Sequence, residues 1–227
     1  MRKPWQRTSV LGQWTSVLVL TTLFMVAGCG EKDTVKAPSK MSMDKPAYEQ
    51  WEISLVEMRI EKNEEFAVTT TSPLPVSEVS GFVGLNYYFP NDELRFKTPF
   101  IAAASVDTVV LSKRKGDQVA YLKRGTLRFS HAEKEYELAV FGPANSDDGN
   151  YLWLPFSDKT SGMETFAGGR YLDITLDSDG MVDLDFNYAY NPLCDYNTDK
   201  YNCTLPPTEN HLGFAVVAGE KSYGVSD

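Results

Sequence analysis

One stretch decides the fold: Tyr171-Leu-Asp-Ile-Thr-Leu-Asp-Ser-Asp-Gly-Met-Val-Asp-Leu-Asp-Phe186. Apolar residues alternate with polar ones on both sides of a short turn sequence, which is typical of a β-hairpin. A three-residue loop, Ser178-Asp179-Gly180, sets Leu176 opposite Val182 and keeps the apolar residues of both strands on one face. Gly180 then takes the left-handed conformation that such a loop needs. The sequence therefore predicts an antiparallel hairpin with one buried face.

The same register fixes the polar face of the hairpin, where Asp173 lies opposite Asp185 and Tyr171 opposite Asn187. Two carboxylates directly opposite each other destabilise a strand pair unless a metal ion, a shared proton or a basic side chain answers the charge. A ligand site and a solvated face with a neighbouring lysine both explain this pattern, and the sequence leaves both readings open.

Outward from the hairpin, short β-branched or alternating runs are separated by turn residues about every ten positions. This arrangement predicts a mainly β fold, an antiparallel barrel or sandwich. The further strands are expected at 76–88, 106–111, 118–122, 126–129, 135–141, 151–156 and 212–218.

One amphipathic helix is expected before the strands. Asp44-Lys45-Pro46 supplies an acidic cap and a proline in the first turn. Tyr48, Trp51, Leu55 and Met58 follow at three- and four-residue steps, so they share one helical face. The pattern predicts a helix that packs against the core.

The chain begins with a positive segment, an apolar stretch and a small-residue site that ends in a cysteine. The basic residues are Arg2, Lys3 and Arg7, the apolar stretch covers 17–26, and the site is Val26-Ala-Gly-Cys29. This order is typical of a secretory signal peptide. Its end resembles the lipobox of bacterial lipoproteins, a family in which the cysteine is lipidated and becomes the new N-terminus. An uncleaved membrane anchor is the alternative, although the apolar part is short for a span of ~20 residues.

The lipobox resemblance divides the chain into a signal peptide at 1–28, a lipidated Cys29 with a flexible tether over 29–45, and a single mainly β domain over 46–227. It implies a cell-envelope location on a lipid anchor. By resemblance to the sorting rule of enteric bacteria, Gly30 instead of an aspartate after the cysteine favours the outer membrane, with the domain facing the periplasm.

Charge and cysteine content narrow the function classes. With 22 basic and 31 acidic residues the chain carries a net charge of −9, which argues against nucleic acid as a partner. Of the three cysteines, Cys29 is taken by lipid, and Cys194 and Cys203 remain. A disulfide between them is expected in an oxidising compartment. No metal-binding, nucleotide-binding or nucleophile motif is present, so the sequence implies no particular cofactor or metal.

Several polar and aromatic motifs in the second half resemble one catalogued family of bacterial proteins, domain-of-unknown-function family 1684. The upstream match lies at 81–90, and further matches lie at 154–165 and 218–220. The most specific pieces are Gly168-Gly-Arg-Tyr-Leu-Asp173, Asp185-Phe-Asn-Tyr-Ala-Tyr-Asn-Pro192 and Cys203-Thr-Leu-Pro-Pro-Thr-Glu-Asn210. The family brings no established activity, so the resemblance implies positions and not a mechanism.

Polar residues within or beside these motifs are the candidate ligand-binding residues: Arg170, Tyr171, Asp173, Asp185, Asn187, Asn191, Tyr196, Glu209 and Asn210. We expect a pocket for a small polar ligand or cation at the hairpin 170–187 and the loop 188–210. Arg170 would bind an anionic group, and the two aspartates a cation or hydroxyls.

Two other functions stay open from the sequence. The same carboxylates could serve a hydrolase acting on an envelope substrate, with one acid protonated and the other ionised. Alternatively, the chain could be a structural or assembly lipoprotein that binds another envelope protein.

Overall fold

The structure is a computed structural model that describes residues 38–144 and 151–224. The predicted signal peptide, Cys29 and the first part of the predicted tether lie outside these residues. Within the described ranges, no helix is long and apolar enough to cross a bilayer.

Seven antiparallel strands form one curled sheet, a half-barrel, so the predicted mainly β architecture is confirmed. The strands are β1 (Ser39–Lys40), β2 (Arg95–Ser112), β3 (Gln118–His131), β4 (Lys134–Pro143), β5 (Leu152–Phe156), β6 (Arg170–Ile174) and β7 (Met181–Asp185). The helices are α1 (Lys45–Ala67), α2 (Val76–Val79) and α3 (Leu193–Tyr196), with 3-10 turns at Asp92–Leu94, Phe186–Tyr188 and Thr208–Asn210. The strands follow the order β1-β2-β3-β4-β5-β6, and β7 also pairs with β2.

Helix α1 begins where the sequence predicts. The Asp44 side chain accepts from the Ala47 amide at 3.0 Å, and a proline occupies the first turn. Trp51 and Leu55, both on the predicted face, are buried, and Phe66 continues that face two turns beyond Met58. The predicted face of α1 is therefore the side that packs against the rest of the domain, at Trp51, Leu55 and Phe66.

The turn of the predicted hairpin is confirmed. Leu176 bridges Val182 in the antiparallel sense, and Gly180 has a φ of 72°. The Asp177 side chain accepts from the Asp179 amide at 2.9 Å and from the Met181 amide at 2.8 Å, which closes the loop. Local pattern and turn chemistry were thus sufficient to place this loop.

The arms of the hairpin separate beyond the turn, and the predicted opposition of Asp173 and Asp185 is wrong. Strand β6 pairs with β5, which sets Asp173 opposite Trp153. Strand β7 pairs with β2, which sets Asp185 opposite Arg95. The two arms therefore pair with different neighbouring strands of the curled sheet, and the two aspartates do not share one pair of strands.

Other elements differ from the expected strands. Residues 76–88 form the short helix α2 and irregular chain, and 212–218 is also irregular. The expected strands 118–122 and 126–129 are one strand, β3, with a register shift near Gly125. Ser39–Lys40, which the sequence places in the tether, pairs with β2 as β1.

Three clusters of buried apolar side chains organise the interior. The largest lies inside the half-barrel and includes Phe129, Phe156 and Phe186. A second, around Phe66, joins α1 to the segment after α2 and to Tyr196 of α3. A third, with Phe141, Trp153 and Tyr171, lies on another face of β2 to β6. The second and third clusters flank the cavity described next.

Candidate binding cavity

Arg170, which the sequence offers as an anion ligand, is a structural residue. Its side chain is 0% exposed and pairs with Asp158 at 3.0 Å. The guanidinium also donates to the carbonyls of Val216 at 2.8 Å, Glu220 at 3.2 Å and Ala218. These bonds fasten the irregular C-terminal segment to β6, which leaves this guanidinium facing protein and not a pocket.

The carboxylate of Asp185 is likewise satisfied by hydrogen-bond donors inside the fold. One of its oxygens accepts from the indole nitrogen of Trp51 at 2.8 Å and from Arg95 Nε at 2.7 Å. The other accepts from the backbone and side-chain nitrogens of Asn187 at 2.9 and 2.7 Å. A buried carboxylate with four donors is stable without a ligand, so this residue ties α1 to the sheet.

Two of the candidate asparagines act as substitutes for strand pairing. The Asn187 amide exchanges two hydrogen bonds with the backbone of Asn91, each 2.8 Å long. The Asn210 amide does the same with Ala139, again at 2.8 Å, and also donates to the Pro155 carbonyl at 2.7 Å. Both side chains satisfy buried backbone groups where no neighbouring strand is present.

The other candidates lie elsewhere. Tyr171, Asn191 and Tyr196 line one large cavity, and Asp173 lines a smaller one beside it. Glu209 pairs at the surface with Lys123 at 3.1 Å, beside a separate groove along β2. The structure therefore brings three of the nine predicted residues into one cavity and a fourth next to it.

The large cavity, here called the tyrosine cavity, has a volume of about 690 Å³. It lies between the end of α1, strands β3, β5 and β6, and the loop that the Cys194–Cys203 disulfide closes. The predicted disulfide thus forms one wall. Eight aromatic residues line the cavity: Phe66, Tyr121, Tyr151, Trp153, Tyr171, Tyr190, Tyr196 and Tyr201.

A chain of ring contacts fixes one wall of the tyrosine cavity. Tyr121 stacks on Trp153 with centroids 4.9 Å apart. Trp153 meets Tyr171 edge to face at 4.7 Å, and Tyr171 meets Tyr190 in the same way at 5.8 Å. Aromatic pairs in such geometries hold one another in place, so the wall is organised before any ligand arrives.

Burial raises the pKa of the Tyr171, Tyr190 and Tyr151 hydroxyl groups above the usual range. The Tyr151 and Tyr190 hydroxyls both donate to one oxygen of Asp173, at 2.8 and 3.0 Å. Asp173 therefore positions two cavity tyrosines from the side of the smaller cavity.

Lys62 separates the two cavities and contributes to the lining of both. Its ammonium pairs with Glu220, whose side chain is 2% exposed. Glu220 also accepts from the backbone N–H of Asn191 at 2.8 Å, from the Tyr196 hydroxyl, and from the Tyr87 hydroxyl at 3.4 Å. Each carboxylate oxygen thus has two donors, and the charge of the lysine is balanced within the protein.

Sequence reasoning missed several residues of this site, among them Lys62, Tyr121, Tyr151, Trp153 and Tyr190. Tyr121, Tyr151 and Trp153 lie in the expected strands 118–122 and 151–156, and apolar alternation does not distinguish a core face from a cavity wall. Lys62 lies one turn past the predicted helical face and gave no pattern of its own. Among the residues that the structure describes, no group of three histidine, cysteine, aspartate or glutamate side chains could hold a metal ion.

Comparisons with known proteins agree with the resemblance found in the motifs. A family model described as "Protein of unknown function (DUF1684)" matches residues 80–221. A solution structure of an uncharacterised protein from Haloarcula marismortui is 36% identical, with a TM-score of 0.61, and covers 79% of this chain and 98% of its own. No curated protein matches. The chain therefore belongs to the DUF1684 family of proteins of unknown function.

Proposed function

We propose that this chain is a lipid-anchored protein of the cell envelope whose domain binds a small ligand in the tyrosine cavity. The observation that carries the proposal is the cavity itself, about 690 Å³ in volume and lined mainly by aromatic and other apolar side chains with a few polar groups. Small-molecule sites commonly have this composition and a volume of roughly 300–1,000 Å³.

Binding is favoured over carboxylate-based hydrolysis by the state of the acids. Asp173 and Asp185 belong to different strand pairs, so they cannot act together as first expected. Asp173 and Glu220 do line the same smaller cavity. Glu220, however, accepts four donors, one of them an ammonium, and has no lone pair left for the proton of a general acid.

The cavity is tested by a thermal-shift screen on the full-length protein in detergent, with glucose, N-acetylglucosamine, glycine betaine, choline, glutamate and phosphate as probes. Leu193→Trp places bulk on an exposed residue of the cavity lining. Val110→Trp, at an exposed residue of β2 outside that lining, is the matched control. A probe should raise the melting temperature of the wild type and Val110→Trp, but not of Leu193→Trp. An equal rise in all three, or none with any probe, would contradict the proposal.

The anchor rests on the Val26-Ala-Gly-Cys29 motif. Cells fed labelled palmitate should label the wild-type protein and recover it with the membranes. Cys29→Ala should carry no label, since the acceptor thiol is gone. Equal labelling of Cys29→Ala would refute lipidation at this residue, whatever the cavity binds.

A further inference from the structure

Among the described residues that line the tyrosine cavity, the charges cancel. Lys62 is neutralised by Glu220, and the two remaining charged lining residues, Lys113 and Glu65, have opposite signs. A charged ligand packed against this lining would lose part of its hydration without meeting a surplus of opposite charge, which is costly. The arrangement therefore suits a neutral ligand.

Two tyrosine hydroxyls supply neutral hydrogen-bonding groups in the lining. Tyr121 and Tyr201 line the cavity, and each hydroxyl can both donate and accept. They suit a ligand that carries several hydroxyl groups.

The aromatic wall supplies the complementary apolar surface. Trp153 holds the Tyr121 ring in a stacked position at 4.9 Å, so the ring plane is fixed in advance. The face of an aromatic ring is electron-rich and attracts the slightly positive C–H groups of a ligand packed flat against it. A pyranose ring presents such a face, with hydroxyl groups around its edge.

We infer that the tyrosine cavity binds a neutral saccharide, with one sugar face on Tyr121 and hydroxyl groups of the sugar bonded to tyrosine hydroxyls of the lining. The inference rests on the proposed function and adds the ligand class. It predicts binding that salt does not weaken, since no ion pair forms between ligand and protein.

The test is isothermal titration of the full-length protein with neutral hexasaccharides of glucose, N-acetylglucosamine and xylose, and separately with choline and glutamate. For a bound hexasaccharide, Kd should change less than about twofold between 50 and 500 mM NaCl. Tyr121→Ala should raise Kd about tenfold, and Tyr121→Phe, which keeps the ring, by only about two- to fivefold. Tyr48→Ala, on α1 outside the cavity lining, is the control and should leave Kd unchanged.

The outcomes separate the inference from the proposed function. If choline or glutamate binds in a way that Leu193→Trp abolishes while every hexasaccharide fails, the cavity is a binding site and the saccharide class is wrong. Saccharide binding that Tyr121→Ala and Tyr48→Ala weaken equally would also overturn it. Circular dichroism of each variant establishes that a lost affinity does not come from unfolding.

Discussion

Two buried ion pairs in this domain each join a basic side chain to a carboxylate but differ in their surroundings. The closed pair, Arg170 with Asp158, lies inside the fold, and the open pair, Lys62 with Glu220, borders two cavities. In the pair of Arg170 with Asp158, both side chains are almost fully buried, and the guanidinium also donates to three carbonyl groups. In the pair of Lys62 with Glu220, the lysine side chain is 21% exposed and lies between two cavities. This difference shows that a motif dense in polar residues indicates a binding site only where some of its side chains border a cavity.

The largest effect is expected from breaking the closed pair. Arg170→Met should lower the free energy of unfolding by about 3–5 kcal/mol, because it leaves Asp158 buried and unpaired. The matched control is Arg128→Met, which removes an exposed pair with Glu137 and should cost at most about 1 kcal/mol. Urea unfolding measures both. Equal stability of Arg170→Met and wild type would show that the closed pair is not structural.

A smaller effect on stability is expected at the tyrosine cavity, where the Cys194–Cys203 disulfide forms part of the wall. Replacing Cys194 and Cys203 by alanine should lower stability by about 2–3 kcal/mol, since the unfolded chain regains the freedom of a short loop. The variant should also lose affinity for the cavity ligand, because Tyr196 and Tyr201 lie in the freed loop. Reduced wild type is the control and should behave alike. Unchanged stability and affinity would show that the disulfide contributes neither to the fold nor to the cavity.

The smallest effect concerns an acid beside the open pair. Burial raises the pKa of Asp195 to about 6, helped by the charge of Glu220 and opposed by hydrogen bonds from Ser222 and Tyr223. The unfolded value is about 3.9. Between these values the folded protein retains a proton that the unfolded chain has released, so the contribution of Asp195 to stability falls as pH rises.

Asp195→Asn tests this contribution, because the amide stays neutral at every pH. Relative to wild type, the variant should gain about 2 kcal/mol in the free energy of unfolding between pH 4 and pH 7. Denaturation curves at half-unit pH steps measure the difference, which cancels the titration of all other acids. A difference independent of pH would mean that Asp195 titrates normally in the folded protein.

The sequence predicts local structure here better than long-range partners. The helix start at Asp44, the loop at Gly180 and most strands follow from caps, turn residues and alternation. The partners of β6 and β7 do not, because an alternating strand presents the same pattern to any neighbour. The irregular segment 212–218 resembles a strand in sequence, yet its carbonyls at Val216 and Ala218 are satisfied by Arg170.

The candidate site was predictable in position more than in composition. The disulfide loop and residues such as Tyr171 and Tyr196 follow from the motifs, and they form part of the cavity. Arg170, Asp185, Asn187 and Asn210 belong to the same motifs but satisfy buried groups of the fold. Whether a polar residue faces protein or solvent depends on tertiary packing, which residue type and spacing do not encode.

Strand β1 has a mechanical consequence. In the described part of the chain, Ser39 and Lys40 pair with β2, and the Met41 backbone N–H donates to the Arg95 carbonyl at 3.3 Å. Lys40 also contacts Glu93. Tension applied to the chain before residue 38 therefore acts on the short β1–β2 pairing before it reaches α1. The pairing of β1 with β2 can separate at low force, which lengthens the free segment before α1. Trp51 and Lys62 still hold α1 to Asp185 and Glu220. A domain pulled from its N-terminus would thus yield first at the attachment and keep its cavity intact.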